Sequence, residues 1–254
     1  RDHDWLRHHI KKTEQVDLKS GSTRDAALMV MGPDSRELLS GLCHADLSAT
    51  AMPWMSVAEL EMAGVQLTAM RVSFGGELGW ELHCASADVS KLYAAIAQQG
   101  EAFGMINFGS YALNSMRVEK GYHGWGSDFG TEYTLFDAGL DKFIDFDKAD
   151  FIGREAVLQQ RQNSVEWRFI RLAIECDKAE PLSSDPVLLQ NECVGYITSG
   201  ATGFRTGQCI ALAYVEAKIP SDESQFEVQI LGENYAARAV DGAFYDPENA
   251  RLRA

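Results

Sequence analysis

The chain has 254 residues, 46% hydrophobic and 24% charged, with a formal net charge of -14. That length allows two domains or one large one, with a sizeable core. The negative balance argues against nucleic acid or an anionic membrane surface as the main partner, while leaving room for a small anion at a locally basic site. Five cysteines (Cys43, Cys84, Cys176, Cys193 and Cys209) are an odd count without CxxC spacing. They read as reduced thiols in the cytoplasm, or in the mitochondrial matrix of a eukaryote. No apolar run is long enough to span a membrane, and the polar opening Arg-Asp-His-Asp is not a signal peptide. The chain opens without methionine, which reads as a processed N-terminus or as part of a longer polypeptide.

In chain order, residues 2–12 suit a short helix capped by Asp2, with Lys11 and Lys12 in the last turn. Val16 to Ser20 alternates like a half-buried strand, and Ala26 to Met31 is a short apolar strand ended by Gly32-Pro33. Asp34 or Ser35 then caps a helix carrying Leu38, Leu39 and Leu42. Val57–Met62 and Val65–Val72 read as strands joined at Ala63-Gly64, and a third continues through Leu82 to Cys84. An amphipathic helix starts at Ser86 or Asp88 and ends at Gly100; the next opens at Ser110 and closes at Gly121. Ala138 to Asp145 looks strand-like and Gly153 to Gln162 helical. Beyond Glu166, residues 168–175, 187–198, 209–215, 225–231 and 235–245 are short β-rich segments separated by turns. The fold class expected is α+β: an α/β sandwich region over residues 1–160 and a small antiparallel β-barrel over 161–254.

Standard catalytic signatures are absent, and the six histidines lack metal-ligand spacing, so no metal site is expected. Two glycine-spaced stretches stand out. Met116 to Asp128 reads as a helix end running into an aromatic loop, with Arg117, Glu119, Tyr122 and Trp125 around flexible backbone. Pockets for flat anionic molecules are built from such parts. Arg117 either pairs with Glu119 or another carboxylate at the helix end, or grips a ligand carboxylate with its planar fork. Trp125 is either core or the cover of a ligand ring. In Phe74 to Glu81, three glycines are flanked by Phe74, Trp80 and Glu81. Here a carboxylate among aromatics suits the adjacent N–H donors of a heterocycle; the alternative is a hairpin whose rings are plain core.

Four stretches then match a known pattern in order: 27–39 (ALMVMGPDSRELL), 71–83 (RVSFGGELGWELH), 112–144 (ALNSMRVEKGYHGWGSDFGTEYTLFDAGLDKFI) with 149–157 (ADFIGREAV), and 194–215 (VGYITSGATGFRTGQCIALAYV) with 244–253 (FYDPENARLR). Through them nearly the whole chain resembles the aminomethyltransferase (glycine-cleavage T-protein) family, and within it the folate-binding C-terminal half of the dimethylglycine and sarcosine dehydrogenases and dimethylglycine oxidase. The resemblance implies a T-protein-like fold with tetrahydrofolate as cofactor. It implies that Glu81 hydrogen-bonds the pterin, that Phe74 packs it from a position usually held by tyrosine, that Arg117 contacts the folate tail and that Trp125 lines the folate channel.

The activity implied is transfer of a methylene or formaldehyde unit from an N-methylated amine to tetrahydrofolate, giving 5,10-methylenetetrahydrofolate, as part of a larger flavin-linked enzyme. The family's catalytic aspartate lies upstream of the stretch matching residues 1–9, so the catalytic residue of this chain is unknown and the chain alone is expected to be inactive. FAD is expected only on an N-terminal flavoprotein domain or a partner subunit. Alternatives of the same fold are a free glycine-cleavage enzyme, a methyl-transferring demethylase, and a non-catalytic regulatory or assembly protein. Relatives of the last kind carry K-G-C-Y, where this chain has Lys120-Gly121-Tyr122 without the cysteine.

Overall fold

The computed structural model describes residues 2–220, 223 and 225–254. The chain divides into two compact units, one of Arg1–Ser73, Glu77–Asn107 and Arg251–Ala254, the other of Phe74–Gly76 and Phe108–Ala250. This division follows packing. The boundary expected near residue 160 follows a change in element type, and the two are different cuts.

The first unit begins with α1 (Asp2–His9), which buries no residue and stops short of Lys11. Val16 to Ser20, expected as a strand, is irregular. Val16 is 55% exposed, and two apolar residues with no neighbouring strand cannot form a ladder. Next come β1 (Asp25–Met31), α2 (Ser35–Ser40), β2 (Val57–Met62), β3 (Val65–Met70), β4 (Gly79–Ala85) and α3 (Val89–Gly100). Neither Asp34 nor Ser35 caps α2 with its side chain; the Ser35 hydroxyl donates instead to the Gly32 carbonyl at 2.7 Å.

The strands form one antiparallel sheet in the order β1-β4-β3-β2. Period-two alternation sorts its two faces. Trp80, Leu82 and Cys84 of β4 face a core shared with Leu38 and Leu39 of α2 and Leu92 and Ile96 of α3. Glu81 and His83 take the opposite face, where Glu81 lies in register with Met29 and Met70 and His83 with Ala27 and Thr68. Residues 251–254 belong to this unit: Leu252 is buried, and Arg36 and Arg71 both donate to the Ala254 carbonyl.

The second unit contains α4 (Ser110–Glu119), a long loop with one 3-10 turn, Asp141–Phe143, and α5 (Arg154–Gln162). The strand expected at Ala138 to Asp145 is therefore absent. The Asp137 carboxylate accepts from the Thr134 N–H at 2.9 Å and hydroxyl at 2.6 Å, and Gly139 turns left-handed at φ +64°, so the chain bends where the composition reads as extended.

Six strands follow: β5 (Trp167–Ile174), β6 (Pro186–Leu189), β7 (Glu192–Gly203), β8 (Gln208–Glu216), β9 (Phe226–Ile230) and β10 (Glu233–Ala239). They close into an antiparallel barrel ordered β10-β5-β8-β7-β6-β9. The single segment expected over 187–198 is two strands, because Gln190 and Asn191 both take positive φ (53° and 65°) and form a two-residue hairpin turn. Ile170, Leu172, Ala211, Ala213, Val187 and Val228 fill the barrel. On its outer face, Ile210, Leu212 and Ala201 pack with Val118 of α4 and with Phe169.

The barrel wall is tight at Gly195, where a Cβ would stand 2.0 Å from the Tyr214 carbonyl oxygen across the β7–β8 ladder. Overpacking of this kind costs typically about 1–3 kcal/mol. Gly195→Ala is expected to lose at least that much stability in chemical denaturation, and an unchanged midpoint would contradict the ladder as described.

Candidate functional site

α4 ends in a Schellman motif: Tyr122 N–H donates to the Arg117 carbonyl and Gly121 N–H to that of Val118, both at 2.9 Å, with Gly121 at φ +68°. This geometry turns the chain from helix to aromatic loop beside two buried acid–base pairs. Arg117 and Glu119 are two positions apart, so their side chains leave the helix in different directions. Glu119 is accordingly not the partner of Arg117.

Arg117 pairs with Asp128 at 2.6 Å, with side chains 7% and 0% exposed. The same guanidinium donates to the Tyr122 carbonyl (3.0 Å), the Asn114 amide oxygen (3.0 Å) and the Ser199 hydroxyl (2.8 Å). Asp128 accepts in addition from the Gly124 N–H (2.7 Å), the Ser127 hydroxyl (3.2 Å) and the Thr198 hydroxyl (2.6 Å). Consecutive residues of a regular strand face opposite ways. Thr198 and Ser199 reach one ion pair because the β7–β8 register shifts between Ile197 and Ser199. Burial alone would raise the Asp128 carboxyl; hydrogen bonds from Thr198, Ser199 and Gly124 and the Arg117 charge together outweigh it and hold the pKa below the ordinary range.

Glu119, fully buried, binds the turn after β7. It accepts from the Arg205 guanidinium at 2.6 Å, from the Arg205 and Thr206 N–H groups at 2.9 Å and from the Thr206 hydroxyl at 3.1 Å. Arg205 also donates to the Gly75 carbonyl at 3.0 Å and covers the Tyr245 ring at 3.8 Å. Lys120 pairs with Asp246 at 3.1 Å. These contacts fix Phe74–Gly76 in the second unit and bring Phe74 over Tyr122, ring centroids 6.1 Å apart and nearly parallel.

The remaining expected residues are placed unevenly. Trp125 is 59% exposed and meets Phe129 edge to face at 4.9 Å. His123 stacks on Phe169 at 3.9 Å, and its Nε2 donates to the Ala138 carbonyl at 3.0 Å; burial is the main reason its pKa is lowered. Glu81 belongs to the first unit, half-buried on β4, with Oε2 3.2 Å from His83 Nε2. Trp80 is plain core, fully buried with its indole N–H on the Met52 sulfur. Asp128, Ser199, Thr198 and Arg205 lie within the matching sequence stretches, but nothing in the spacing assigned them roles, because the contacts that join α4 and the aromatic loop to the barrel are 70 to 86 positions apart.

Residues 1–148 match the GCVT N-terminal domain, and residues 168–246 match the glycine cleavage T-protein C-terminal barrel domain. The chain belongs to the glycine-cleavage T-protein family. That family is one of folate-dependent one-carbon transfer. Human mitochondrial dimethylglycine dehydrogenase is 33% identical over 251 residues, covering 98% of this chain and 29% of that protein. The aminomethyltransferase of Moorella thermoacetica is 30% identical over 245 residues, covering 96% of this chain and 66% of that protein. The T-protein fold is shared with the crystal structure of the glycine cleavage system aminomethyltransferase T from Bartonella henselae, at a TM-score of 0.77 and 20% identity over 88% of this chain and 60% of that one. The chain thus spans under a third of the dehydrogenase relatives it matches. Among the described residues no helix is long and apolar enough to cross a membrane.

Removing one partner of a buried ion pair leaves the other charge uncompensated, at roughly 3–5 kcal/mol. Asp128→Ala is expected to lose about that much in chemical denaturation, and a loss below about 1 kcal/mol would show the pair to be dispensable. Because the folded Asp128 pKa is depressed, its stabilisation is complete above the unfolded value of about 3.9 and is lost as pH falls through the lower folded value. The stability gap between wild type and Asp128→Asn should therefore shrink below about pH 4; a gap independent of pH would refute this.

Proposed function

We propose that this chain is the tetrahydrofolate-binding part of an enzyme that takes a one-carbon unit from an N-methylated amine of the dimethylglycine or sarcosine type, with FAD chemistry on another domain or subunit. Tetrahydrofolate supplies the amine nitrogen that accepts the carbon. The relatives named for dimethylglycine and sarcosine dehydrogenation support the amine class. The match to a free aminomethyltransferase over 66% of its length supports the narrower alternative, a glycine-cleavage type enzyme.

One observation carries the folate assignment in this chain. Glu81 stands mid-strand on β4, away from the core, with Oε2 facing His83 and Oε1 accepting no hydrogen bond among the described residues. A half-buried carboxylate with a spare oxygen suits the paired N–H donors of a flat heterocycle. Phe74, set against Tyr122, packs a ring, and Trp125, projecting from the aromatic loop, covers one. Arg117 acts by positioning: four of its five N–H groups are used within the protein, so it holds Tyr122 and the following loop in place. These side chains bind and orient, and the general base or acid of the reaction is not among them.

Calorimetry of tetrahydrofolate binding to the native protein tests the reading. Glu81→Gln is expected to weaken binding about 10- to 100-fold, the range for a hydrogen bond to a charged group, with the fold unchanged by circular dichroism. Equal affinity in both proteins would remove Glu81 from the site. Flavin absorbance of the native protein tests the dehydrogenase context separately.

A further inference from the structure

Arg117, the arginine expected to hold a ligand carboxylate, is already committed to acceptors within the protein, and a second arginine on the same face of the barrel is not. Ser199, Leu212 and Arg171 are in register across β7, β8 and β5. Neighbouring strands are about 4.8 Å apart, so Arg171 stands roughly 10 Å from the strand position that anchors Arg117. Ile170 and Leu172 point into the barrel and Phe169 packs outside it, which places Arg171 on the outer face.

Arg171 is half-buried, yet its side chain makes no hydrogen bond or ion pair among the described residues, and its Nε is buried without a partner. The contrast within the chain is sharp: Arg71, Arg117, Arg168 and Arg205 each donate to two or more acceptors. A half-buried guanidinium whose Nε–H is shut off from water without an acceptor is costly unless an acceptor arrives from elsewhere. Its surroundings hold it ready. It lies 5.8 Å from the centre of the Phe169 ring. Gly121 passes over it so closely that a Cβ there would be 2.4 Å from Nε. The carboxylate that bears on it electrostatically is the exposed Asp241; Lys142 adds a second positive charge to the neighbourhood of His123, which Arg171 also reaches.

We infer that Arg171 is a carboxylate-binding residue, taking an acidic group of the ligand's tail on the outer face of the barrel beneath Gly121. The ligand class rests on the folate reading above. The contact itself is a planar two-point one, which a guanidinium makes better than an ammonium.

The test uses native protein and two probes, tetrahydrofolate and a tetrahydrofolate whose two tail carboxylates are amidated. Wild type is expected to bind the diamide about 10- to 100-fold more weakly. Arg171→Gln should bind tetrahydrofolate more weakly by the same factor and should no longer distinguish the two probes, while Arg171→Lys regains part of the loss. A purely structural role would lower both affinities together and leave their ratio intact, which overturns the inference. So does equal binding of both probes by wild type, a measurement that needs no variant. If wild type binds no tetrahydrofolate, the folate reading falls and takes this inference with it. If wild type binds tetrahydrofolate and Arg171→Gln binds it equally well, only the Arg171 inference falls.

Discussion

The second unit is organised by one buried charge pair. Arg117 comes from α4, Asp128 from the far side of the aromatic loop, and Ser199 and Thr198 from a barrel strand. Each alone would be an expensive group to bury. Together they satisfy one another, and their geometry sets where everything between residues 117 and 128 must lie. Tyr122 is held directly, its carbonyl accepting from the Arg117 guanidinium, and Trp125 lies on the loop between the two charged residues. A second pair, Glu119 with Arg205, performs the same office for Phe74, Gly75 and the turn after β7. Two acid–base pairs leaving one helix in different directions therefore hold most of the residues to which a ligand role is assigned. A stiff frame of this kind suits a protein whose task is to hold a flat molecule in one orientation.

Much of this was legible from the sequence, for reasons that differ by element. The sheet strands and α3 follow from apolar periodicity, a local signal that burial then confirms at Leu82, Leu92 and Ile96. The barrel follows from regularly spaced β-rich segments, although its hairpins were harder to read: Gln190-Asn191 is not a conventional turn pair, and only its positive φ values reveal the break. The false strands at 16–20 and 138–145 share a cause. Apolar composition reads as extension even where no neighbouring strand is available, or where an aspartate claims the backbone for a turn.

The site divides the same way. Phe74, Glu81, Arg117 and Trp125 could be picked out because they sit beside glycines in two short stretches. What each does was less visible, because function depends on partners far away in the chain. Asp128 could be read as one more polar loop residue until Thr198 and Ser199 were placed against it. Trp80 looked as eligible as Phe74, yet the strand's alternation sends it inward to Met52. Arg171 carried no motif at all. Its interest comes from what surrounds it and what does not, and no pattern in the chain around residue 171 contains that information.

The attachment of residues 251–254 to the first unit has a further consequence, one of timing. Arg71 is buried, and one of its two acceptors is the Ala254 carbonyl, 183 positions away; for Arg36 the separation is 218. Closing so large a loop carries an entropic penalty that grows with the logarithm of its length, and contacts of high sequence separation slow the search for the native state. The sheet built from residues 25–85 therefore depends for two of its buried-side contacts on residues far along the chain. Arg71 keeps one acceptor nearby, the Met52 carbonyl, and takes the other from beyond the barrel strands. The unit is in that sense circular: its sheet and the segment that completes it lie on either side of the barrel in the sequence.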